Sequence, residues 1–369
     1  MNLLSRTGAG SGYIGIGAGG YATRVSRALI LGFAFALFLC GVRSAGASAT
    51  APVRYVPPPS ETLPFVVGVN AHLGRKNHNY SRAITLASQA GAESVRFDAT
   101  WNLVEQRKGV LRIPPRWDDI VEDAYRNHLK VLLILDYGNR WYERGAKPTT
   151  ATAIAAFARY ADFVARHFKG KVYAYEIWNE WDNKIGYTMP GSPVGYVDLL
   201  KAVYPALKST DPNALVLGGS MTSRSIRNGR LAQLVRMGAL HYVDGLSLHP
   251  YIQCGRESTV AAWKTWLTGI HTQLTQLAEH PVSVYVTEVG WPSSISSCGV
   301  TLATQAERAH DVVIAAHDLG FVRGIWWYDL MDDGVSRFDP EDQFGLVDAE
   351  GSPKPAYLAF KAATKIVEH

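Results

Sequence analysis

The run Lys130–Asp136, KVLLILD, decides how this chain folds because five consecutive apolar residues fill its centre. A strand that is apolar at every position is buried on both faces, which is typical of a parallel sheet covered by helices. A helical pattern follows at Ala151–Phe168, and a second apolar run, Val172–Trp178, comes directly after it. The segment therefore predicts a strand–helix–strand unit with parallel strands.

The same order of a β-rich run and then a helical pattern recurs eight times. The predicted strands are Phe65–Asn70, Ser94–Asp98, Lys130–Asp136, Val172–Trp178, Ala214–Gly218, Asp244–His249, Ser283–Glu288 and Arg323–Asp329. The predicted helices are Ser81–Ala92, Trp117–His128, Ala151–Phe168, Gly195–Leu207, Leu231–Leu240, Val260–His280, Gln305–Leu319 and Pro355–Val367. This pattern predicts an α/β fold, a single (β/α)8 TIM barrel over residues 64–369. A doubly wound open sheet is the alternative.

The first 49 residues differ in kind from the rest. Arg24 and Arg27 precede the apolar run Ala28–Leu39, and the small residues Ala45–Ala49 follow it. That order predicts a secretory signal peptide at residues 1–49, with an uncleaved membrane anchor as the alternative. Residues 1–23 make the leader unusually long, and whether all of them are translated is left open. We expect a secreted or periplasmic protein that associates with the membrane transiently at most, through this leader.

A stiff, Pro-rich segment at residues 50–63 leads from the leader into the barrel. The leader also carries much of the positive charge, because it holds four arginines and no acid; removing them takes the net charge from +5 to +1. No basic run or basic-aromatic stripe remains, so the composition argues against nucleic-acid binding. No signal for an oligomer is present, and we expect a monomer.

The sequence contains one dinucleotide-binding motif and two histidines near each other, but neither lies in the secondary structure that cofactor or metal binding requires. Gly15–Gly20 matches the dinucleotide fingerprint but lies in the leader, without a strand–helix–strand unit around it. His72 and His78 stand outside a helical HExxH pattern. The sequence therefore predicts neither a cofactor nor a catalytic metal.

Cysteine usage fits an exported protein. Cys40 lies in the leader, which leaves Cys254 and Cys298 as an even pair. We expect them to form one disulfide, and two free thiols are the alternative. Closing a loop of this length contributes up to roughly 4 kcal/mol to stability when the geometry is unstrained.

Polar and aromatic residues gather at the carboxyl ends of the predicted strands, which a barrel brings to one mouth. They are Asn70, His72, Asp98, Asp136, Tyr137, Asn179, Glu180, His249, Tyr251, Glu288, Trp291, Trp327 and Asp329. Strand beginnings carry nothing comparable, so the distribution favours an enzyme. Asp136 and Asp329 fit either of two roles, binding of sugar hydroxyls or capping of the next helix.

Two glutamates stand out within this set, Glu180 after the fourth strand and Glu288 at the end of the seventh. Two carboxyl groups facing each other over a pocket are the apparatus of glycoside hydrolysis. Indoles that can pack on sugar rings accompany them, namely Trp178, Trp181, Trp291, Trp326 and Trp327. Glu176, within the fourth strand, is expected to be a buried residue paired with a cation.

The segment Trp178-Asn179-Glu180 resembles the strand-four signature of clan A glycoside hydrolases, and Thr287–Trp291, TEVGW, resembles their strand-seven nucleophile segment. His249-Pro-Tyr251, Arg96 and a strand-eight tryptophan complete the pattern. The resemblance spans about residues 63–365. The segments at 67–72 and 326–334 are most similar to glycoside hydrolase family 39 and its bacterial exopolysaccharide-hydrolase branch; family 5 shares most of the motifs.

The resemblance implies a role for each matched residue. Glu180 would be the general acid/base and Glu288 the nucleophile of a retaining double displacement. Asn179 would bind the substrate 2-hydroxyl, and Arg96 would keep Glu288 ionised. The remaining expected contacts are Tyr251 donating to Glu288, His249 touching Glu180 or the sugar, Trp327 (or Trp326) flooring the subsite of the cleaved sugar, and His72 and Trp291 binding substrate.

The sequence thus predicts an exported retaining β-glycoside hydrolase, endo-acting on a bacterial exopolysaccharide or a related polysaccharide. An exo-acting β-xylosidase and a family 5-like endoglucanase are alternatives within the same class. A non-catalytic carbohydrate-binding barrel is the alternative from another class.

Overall fold

The computed structural model describes residues 63–74, 79–184, 189–252, 254 and 258–368. The predicted leader at 1–49 and almost all of the Pro-rich segment lie outside the described residues. None of the helices within the described part is long and apolar enough to cross a membrane.

Eight parallel strands close into a barrel in chain order, which confirms the predicted (β/α)8 fold. The strands are β1 Val66–Asn70, β2 Ser94–Thr100, β3 Lys130–Asp136, β4 Ala174–Ile177, β5 Leu215–Thr222, β6 Gly245–His249, β7 Val284–Val289 and β8 Val322–Trp327. The helices are α1 Tyr80–Gln89, α2 Trp101–Val104, α3 Pro115–Arg126, α4 Ala151–His167, α5 Pro193–Thr210, α6 Ser223–Arg227, α7 Arg230–Arg236, α8 Val260–Ala278, α9 Leu302–Asp318 and α10 Pro355–Val367.

Half of the ten helices within the described residues begin after a capping serine or threonine. The residue before each of α4, α5, α6, α8 and α9 is a serine or threonine whose hydroxyl accepts a hydrogen bond from a backbone N–H in the first turn. Such caps satisfy backbone donors that the helix itself leaves free. They also fix where each loop after a strand ends, and these loops form the mouth of the barrel.

The lower interior of the barrel is apolar and filled by alternate residues of the strands. Val66, Leu132, Ile134, Ala174, Leu215, Leu217, Tyr285 and Trp326 form this cluster. Trp326 is its largest member, and a Cβ on Gly68 would lie 2.2 Å from the indole nitrogen. Gly68 is therefore required because the Trp326 ring crosses the barrel interior at that level.

A polar layer lies above this cluster, one step nearer the carboxyl ends of the strands. Arg96 of β2, Glu176 of β4 and Ser247 of β6 are at most 2% exposed. Since buried charges are stable only when they are paired and hydrogen-bonded, this layer must hold a closed network. It separates the apolar interior from the cleft.

Candidate active site

The end of β4 departs from strand geometry in a way that serves the cleft. Successive strand residues point to opposite faces, so Asn179 and Glu180 would not face the same side of a regular strand. Trp178 (φ 67°) and Glu180 (φ 47°) both adopt the left-handed region. Asn179 and Glu180 both line the cleft as a result. Backbone of this kind costs on the order of 1–3 kcal/mol per residue and concentrates at functional sites.

At the end of β7, a register shift also lets two consecutive residues face the same side of the sheet. Its pairing with β8 is irregular between Val286 and Val289. Thr287 points into the barrel, where its hydroxyl donates to Glu176 Oε1 at 2.8 Å. The next residue, Glu288, lines the cleft as well. The irregularity thus lets two consecutive residues face the barrel axis.

Glu180 and Glu288 face each other across the cleft with His249 beside them. One ligand atom from each of the three groups lies within 4.8 Å of the others. The His249 Nδ1 atom is 3.1 Å from Glu180 Oε1 and 3.5 Å from Glu288 Oε2. Carboxyl groups about 5 Å apart suit a retaining glycosidase, whereas inverting enzymes need roughly 6.5–9.5 Å to admit a water molecule.

Arg96 ties the polar layer to the cleft. Its Nε donates to Glu176 Oε2 at 2.7 Å, and its Nη1 donates to Glu288 Oε1 at 2.7 Å. It also donates to Asn70 Oδ1 at 2.6 Å and to Asn179 Oδ1 at 3.1 Å. Glu176 is fully buried and paired with a cation, as expected from the sequence.

Replacing Arg96 by methionine is expected to lower the free energy of unfolding by about 3–5 kcal/mol. The substitution removes the guanidinium that pairs directly with the buried carboxylates Glu176 and Glu288, and breaking a buried ion pair is strongly destabilising. Urea denaturation monitored by fluorescence measures the loss. Adding Glu176→Gln to Arg96→Met should recover part of it. A loss below about 1 kcal/mol would contradict the pairing described here.

Hydrogen bonds from neighbouring side chains orient the two acids and Asn179. Tyr251 donates to Glu288 Oε2 at 3.0 Å, the contact that the sequence resemblance implies. The Asn179 amide donates to the hydroxyl oxygen of Tyr137 at 3.2 Å, and Asn183 donates to Glu180 Oε2 at 2.8 Å. Each carboxylate therefore has fixed donors, which hold it in one orientation.

His249 and Glu180 have opposite pKa shifts. Burial raises the pKa of Glu180, but the hydrogen bond and positive charge of His249 outweigh it, and the pKa is lowered. Burial lowers the pKa of His249, but the charge of Glu288 and the hydrogen bond to Glu180 outweigh it, and the pKa is raised. In the free site, a proton shared by this pair therefore resides on the imidazole.

The cleft has a volume of about 620 Å³. The aromatic residues among its lining residues are Phe97, Tyr137, Tyr251, Tyr328 and Phe344. Asn183 and Glu341 also line it. Of these, sequence reasoning missed Phe97, Asn183, Tyr328, Glu341 and Phe344. Tyr328 directly follows the two tryptophans of β8 and could have been found by counting strand positions; Glu341 and Phe344 lie in the long segment after β8 and carry no comparable signal.

The expectation that Trp327 floors a sugar subsite is wrong. Its side chain is 1% exposed, and its Nε1 donates to the Phe344 carbonyl at 3.2 Å. Alternate residues of β8 face the axis, so Trp326 and Tyr328 point inward while Trp327 points toward the helices. Trp326, the other candidate, is fully buried in the lower interior. The aromatic residue that β8 presents to the cleft is Tyr328.

Trp291 is likewise not a cleft residue. It is fully buried, packs at 6.1 Å from the Trp327 ring and donates through Nε1 to Ser258 Oγ at 2.8 Å. Trp178 and Trp181 are also buried, so the indoles of this region support the cleft from behind. Cys254 and Cys298 form a disulfide, which links the segments that follow β6 and β7.

His72 lies at the edge of the cleft, where the sequence analysis placed it. Its Nε2 is 3.1 Å from Asp329 Oδ2 and 3.5 Å from Asp333 Oδ2. Burial alone would lower the pKa of His72, but these carboxylates raise it to about 9. His72 is thus a cation whose charge is already paired. Asp329 is 3% exposed and belongs to this ion pair, so it is neither a helix cap nor an open sugar contact.

Comparison with known proteins agrees with this geometry. The family model described as Cellulase (glycosyl hydrolase family 5) matches residues 60–327. The chain is similar to a solved family 39 glycoside hydrolase from the gut symbiont Bacteroides cellulosilyticus WH2, with a TM-score of 0.71 and 25% sequence identity. That match covers 84% of this chain and 65% of the other, so the chain spans less than two thirds of that enzyme.

Two further solved structures share the fold at lower identity. A GH5_18 protein from Streptomyces cattleya, in complex with GlcNAc, has a TM-score of 0.65 at 16% identity, covering 83% of this chain and 81% of that one. Xylanase 10B from Thermotoga maritima has a TM-score of 0.59 at 20% identity, covering 84% and 98%. No curated protein matches the sequence.

Proposed function

The chain belongs to the cellulase family, glycosyl hydrolase family 5, and on this premise we propose that it is an exported retaining β-glycosidase that cuts within a polysaccharide. Its predicted membership of clan A is confirmed, as is the prediction that it is a glycosidase. The resemblance to family 39 is matched by the solved enzyme from Bacteroides cellulosilyticus WH2. The observation that carries the proposal is the facing pair Glu180 and Glu288.

In the first step of the proposed reaction, a carboxylate oxygen of Glu288 attacks the anomeric carbon and the bond to the glycosidic oxygen breaks. The proton that Glu180 shares with His249 passes through Glu180 to that oxygen, and the shortened chain leaves as an alcohol. Arg96 and Tyr251 direct the attacking group, because each donates to a different oxygen of Glu288. A covalent glycosyl ester on Glu288 results.

In the second step, Glu180 acts as the base. It takes a proton from a water molecule whose oxygen attacks the anomeric carbon, and the ester bond to Glu288 breaks. Two inversions restore the original β configuration. Asn179 directly precedes Glu180 and shares Arg96 with Glu288. It is placed to hold the 2-hydroxyl of the sugar, a contact that strengthens in the transition state.

The pair formed by Glu180 and His249 is expected to set the alkaline limb of the pH profile. Activity needs one proton on the pair, so kcat/KM should fall as pH rises through the pKa at which that proton is lost. Because the pKa of His249 is raised, the limb should lie above the ordinary histidine value of 6.5. In His249→Gln only the carboxyl group can hold the proton, so the limb should move to lower pH.

Initial rates across the pH range, for wild type and His249→Gln, measure this. A wild-type limb near the ordinary glutamate pKa of about 4.3 would contradict the shared proton. The same conclusion would follow if His249→Gln left the limb in place.

The size of the cleft supports a polymeric substrate. A volume of about 620 Å³ lies within the range of pockets that hold drug-sized ligands, which are larger than one sugar ring. Aromatic residues that follow β3, β6 and β8 surround it, so stacking surfaces are available on more than one side. Export through the predicted leader would bring such an enzyme to extracellular glycans, bacterial exopolysaccharides among them.

The test is release of reducing ends from a panel of mannan, xylan, β-glucans, cellulose derivatives and bacterial exopolysaccharides. A variant with amides in place of both Glu180 and Glu288 serves as the control. Oligosaccharide products from wild type alone support the proposal and identify the polymer. Single sugars as the first products favour an exo-acting enzyme such as a β-xylosidase. Retention of a glycan without any cleavage favours a binding barrel.

A further inference from the structure

Asp98 is a cleft residue to which neither the mechanism nor the family comparison gives a role. It follows Arg96 by two positions near the end of β2, so it faces the same side of the sheet. It lines the cleft together with His72 and Tyr137. Its carboxylate therefore lies where a bound sugar would present hydroxyl groups.

Asp136 stands directly behind Asp98 and is fully buried. Its carboxyl group is in hydrogen-bond contact with that of Asp98. Neither oxygen of Asp136 accepts a hydrogen bond from an N–H or O–H group of the described residues. It does not line the cleft itself, so neither role considered from the sequence, sugar contact or helix cap, fits it.

Two carboxyl groups in contact, without other donors between them, must share a proton, because two adjacent buried negative charges repel strongly. Burial raises the pKa of Asp136 well above its usual range, and the charges of Asp98 and Glu176 act in the same direction. Arg96 opposes this effect, while Tyr137 and Tyr160 approach Asp136 as neutral phenols. The buried Asp136, whose pKa is raised, therefore carries the proton that lies between the two groups.

We propose that Asp98 determines substrate specificity as a hydrogen-bond acceptor for sugar hydroxyls, and that the carboxylic acid of Asp136 holds it in place by donating a hydrogen bond to it. Asp136 is a positioning residue, since it does not reach the cleft. A carboxylate can accept from two neighbouring hydroxyls at once, so the site fits a sugar with adjacent free hydroxyls. This inference rests on the proposed function.

The charges around the cleft narrow the substrate class further. Among the described lining residues the cations are Arg96 and His72, and each is already paired with two carboxylates. Asp98, Glu180, Glu288 and Glu341 supply the negative charge of the lining. A uronic acid next to Asp98 would meet a like charge without a free cation. The cleft therefore favours neutral sugars at this position.

Kinetics on the polymer that wild type cleaves test the two roles. Asp98→Asn should lose roughly 10- to 100-fold in kcat/KM, the effect of removing a charged hydrogen-bond acceptor. Asp136→Asn should lose less than about threefold, because its amide donates to Asp98 as the carboxylic acid does. Asp136→Ala, which lacks a donor, should lose about tenfold or more.

A partly oxidised form of the same polymer, carrying carboxylates in place of some primary hydroxyls, tests specificity. Wild type should favour the neutral form, and Asp98→Asn should shift the ratio of rates toward the oxidised form by about tenfold. The specificity role is overturned if this ratio does not move, or if Asp98→Asn cleaves the neutral polymer as fast as wild type.

A stability measurement tests the position of the proton without any substrate. In the unfolded chain Asp136 ionises near a pKa of about 3.9, whereas in the fold it stays neutral, so unfolding releases a proton and wild type loses stability as pH rises. Asp136→Asn lacks this loss. Its urea midpoint should therefore gain on that of wild type between about pH 5 and 7. A relative decrease, or no change, overturns the assignment of the proton to Asp136.

The kinetic and stability measurements together distinguish failure of the proposed function from failure of the roles proposed for Asp98 and Asp136. If wild type cleaves no glycan, the proposed function fails and the substrate role of Asp98 fails with it, while the stability arm still decides where the proton lies. If wild type is active and Asp136→Asn loses as much activity as Asp98→Asn, although its urea midpoint gains on that of wild type as predicted, the positioning role alone is overturned.

Discussion

Glu288→Gln is expected to reduce kcat/KM by at least about 10⁴-fold, which corresponds to roughly 5.5 kcal/mol of transition-state stabilisation. Glutamine has the size of glutamate but cannot form the covalent ester that divides the reaction into two steps. Arg96 can still donate to the side-chain oxygen of the amide, so the fold and the cleft should persist. Reducing-end assays at high enzyme concentration measure the loss, and calorimetric titration should show that oligosaccharide binding survives.

Glu105→Gln is a matched control for this variant. Glu105 is a buried carboxylate that accepts hydrogen bonds from Trp101 at 2.8 Å and from Tyr142 at 2.8 Å, outside the cleft lining. The same chemical change there should leave kcat/KM close to that of wild type in the folded protein. A Glu288→Gln variant that retained a tenth of the wild-type rate would remove Glu288 from the role of nucleophile.

Glu180→Ala is expected to lower kcat on a natural glycan by about 10²–10⁴-fold, the usual contribution of general acid–base catalysis. The effect should depend on the leaving group. An aryl glycoside with a strongly acidic phenol needs no protonation to depart, so the glycosyl-enzyme should still form and then accumulate because no base activates water. A burst of phenol followed by slow turnover is the expected time course.

Added azide sharpens this prediction. The anion needs no general base, so it should restore turnover of the aryl glycoside by Glu180→Ala and give a β-glycosyl azide. Glu288→Gln should show no such rescue to a β product. If Glu180→Ala lost equal activity on natural and activated substrates and azide had no effect, Glu180 would not be the acid/base.

The barrel itself could be predicted from the sequence because its signal is repeated and local. Each predicted strand overlaps an observed one, and β3 has the predicted bounds. Apolar runs such as KVLLILD are buried on both faces only in a parallel sheet, and helical periodicity separates them. The predicted fifth strand ends four residues too early. β5 continues past Gly218 to Thr222, and its pairing with β6 shifts register between Gly219 and Met221. The glycines and small residues of this stretch do not have the apolar pattern by which the other strands were predicted.

The position of the acids could be predicted for a different reason. Strand ends of a (β/α)8 barrel converge, so Glu180 and Glu288 had to approach each other once the strands were placed. Their exact orientation was not accessible. It depends on left-handed backbone at Trp178 and Glu180 and on the irregular pairing of β7 with β8, and neither feature follows from residue type.

The aromatic contacts failed because their orientation depends on strand phase. From the sequence, Trp327 is predicted to form the floor of the sugar subsite, with the adjacent Trp326 as the alternative. In the fold, one fills the lower interior and the other packs toward the helices, and Tyr328 takes the cleft position. A shift of one residue along a strand moves a side chain to the opposite face. Glu341 and Phe344 were out of reach because they come from a segment without regular strand or helix periodicity.

The stereochemistry of the first product tests the central claim most directly. A β-linked oligosaccharide from the polymer that wild type cleaves is mixed with enzyme, and the anomeric proton signals are followed by NMR before mutarotation equilibrates them. The account predicts that the β anomer appears first and the α anomer grows later, because displacement occurs twice, at and then from Glu288. Initial appearance of the α anomer would mean a single displacement by water and would contradict the mechanism assigned to Glu180 and Glu288.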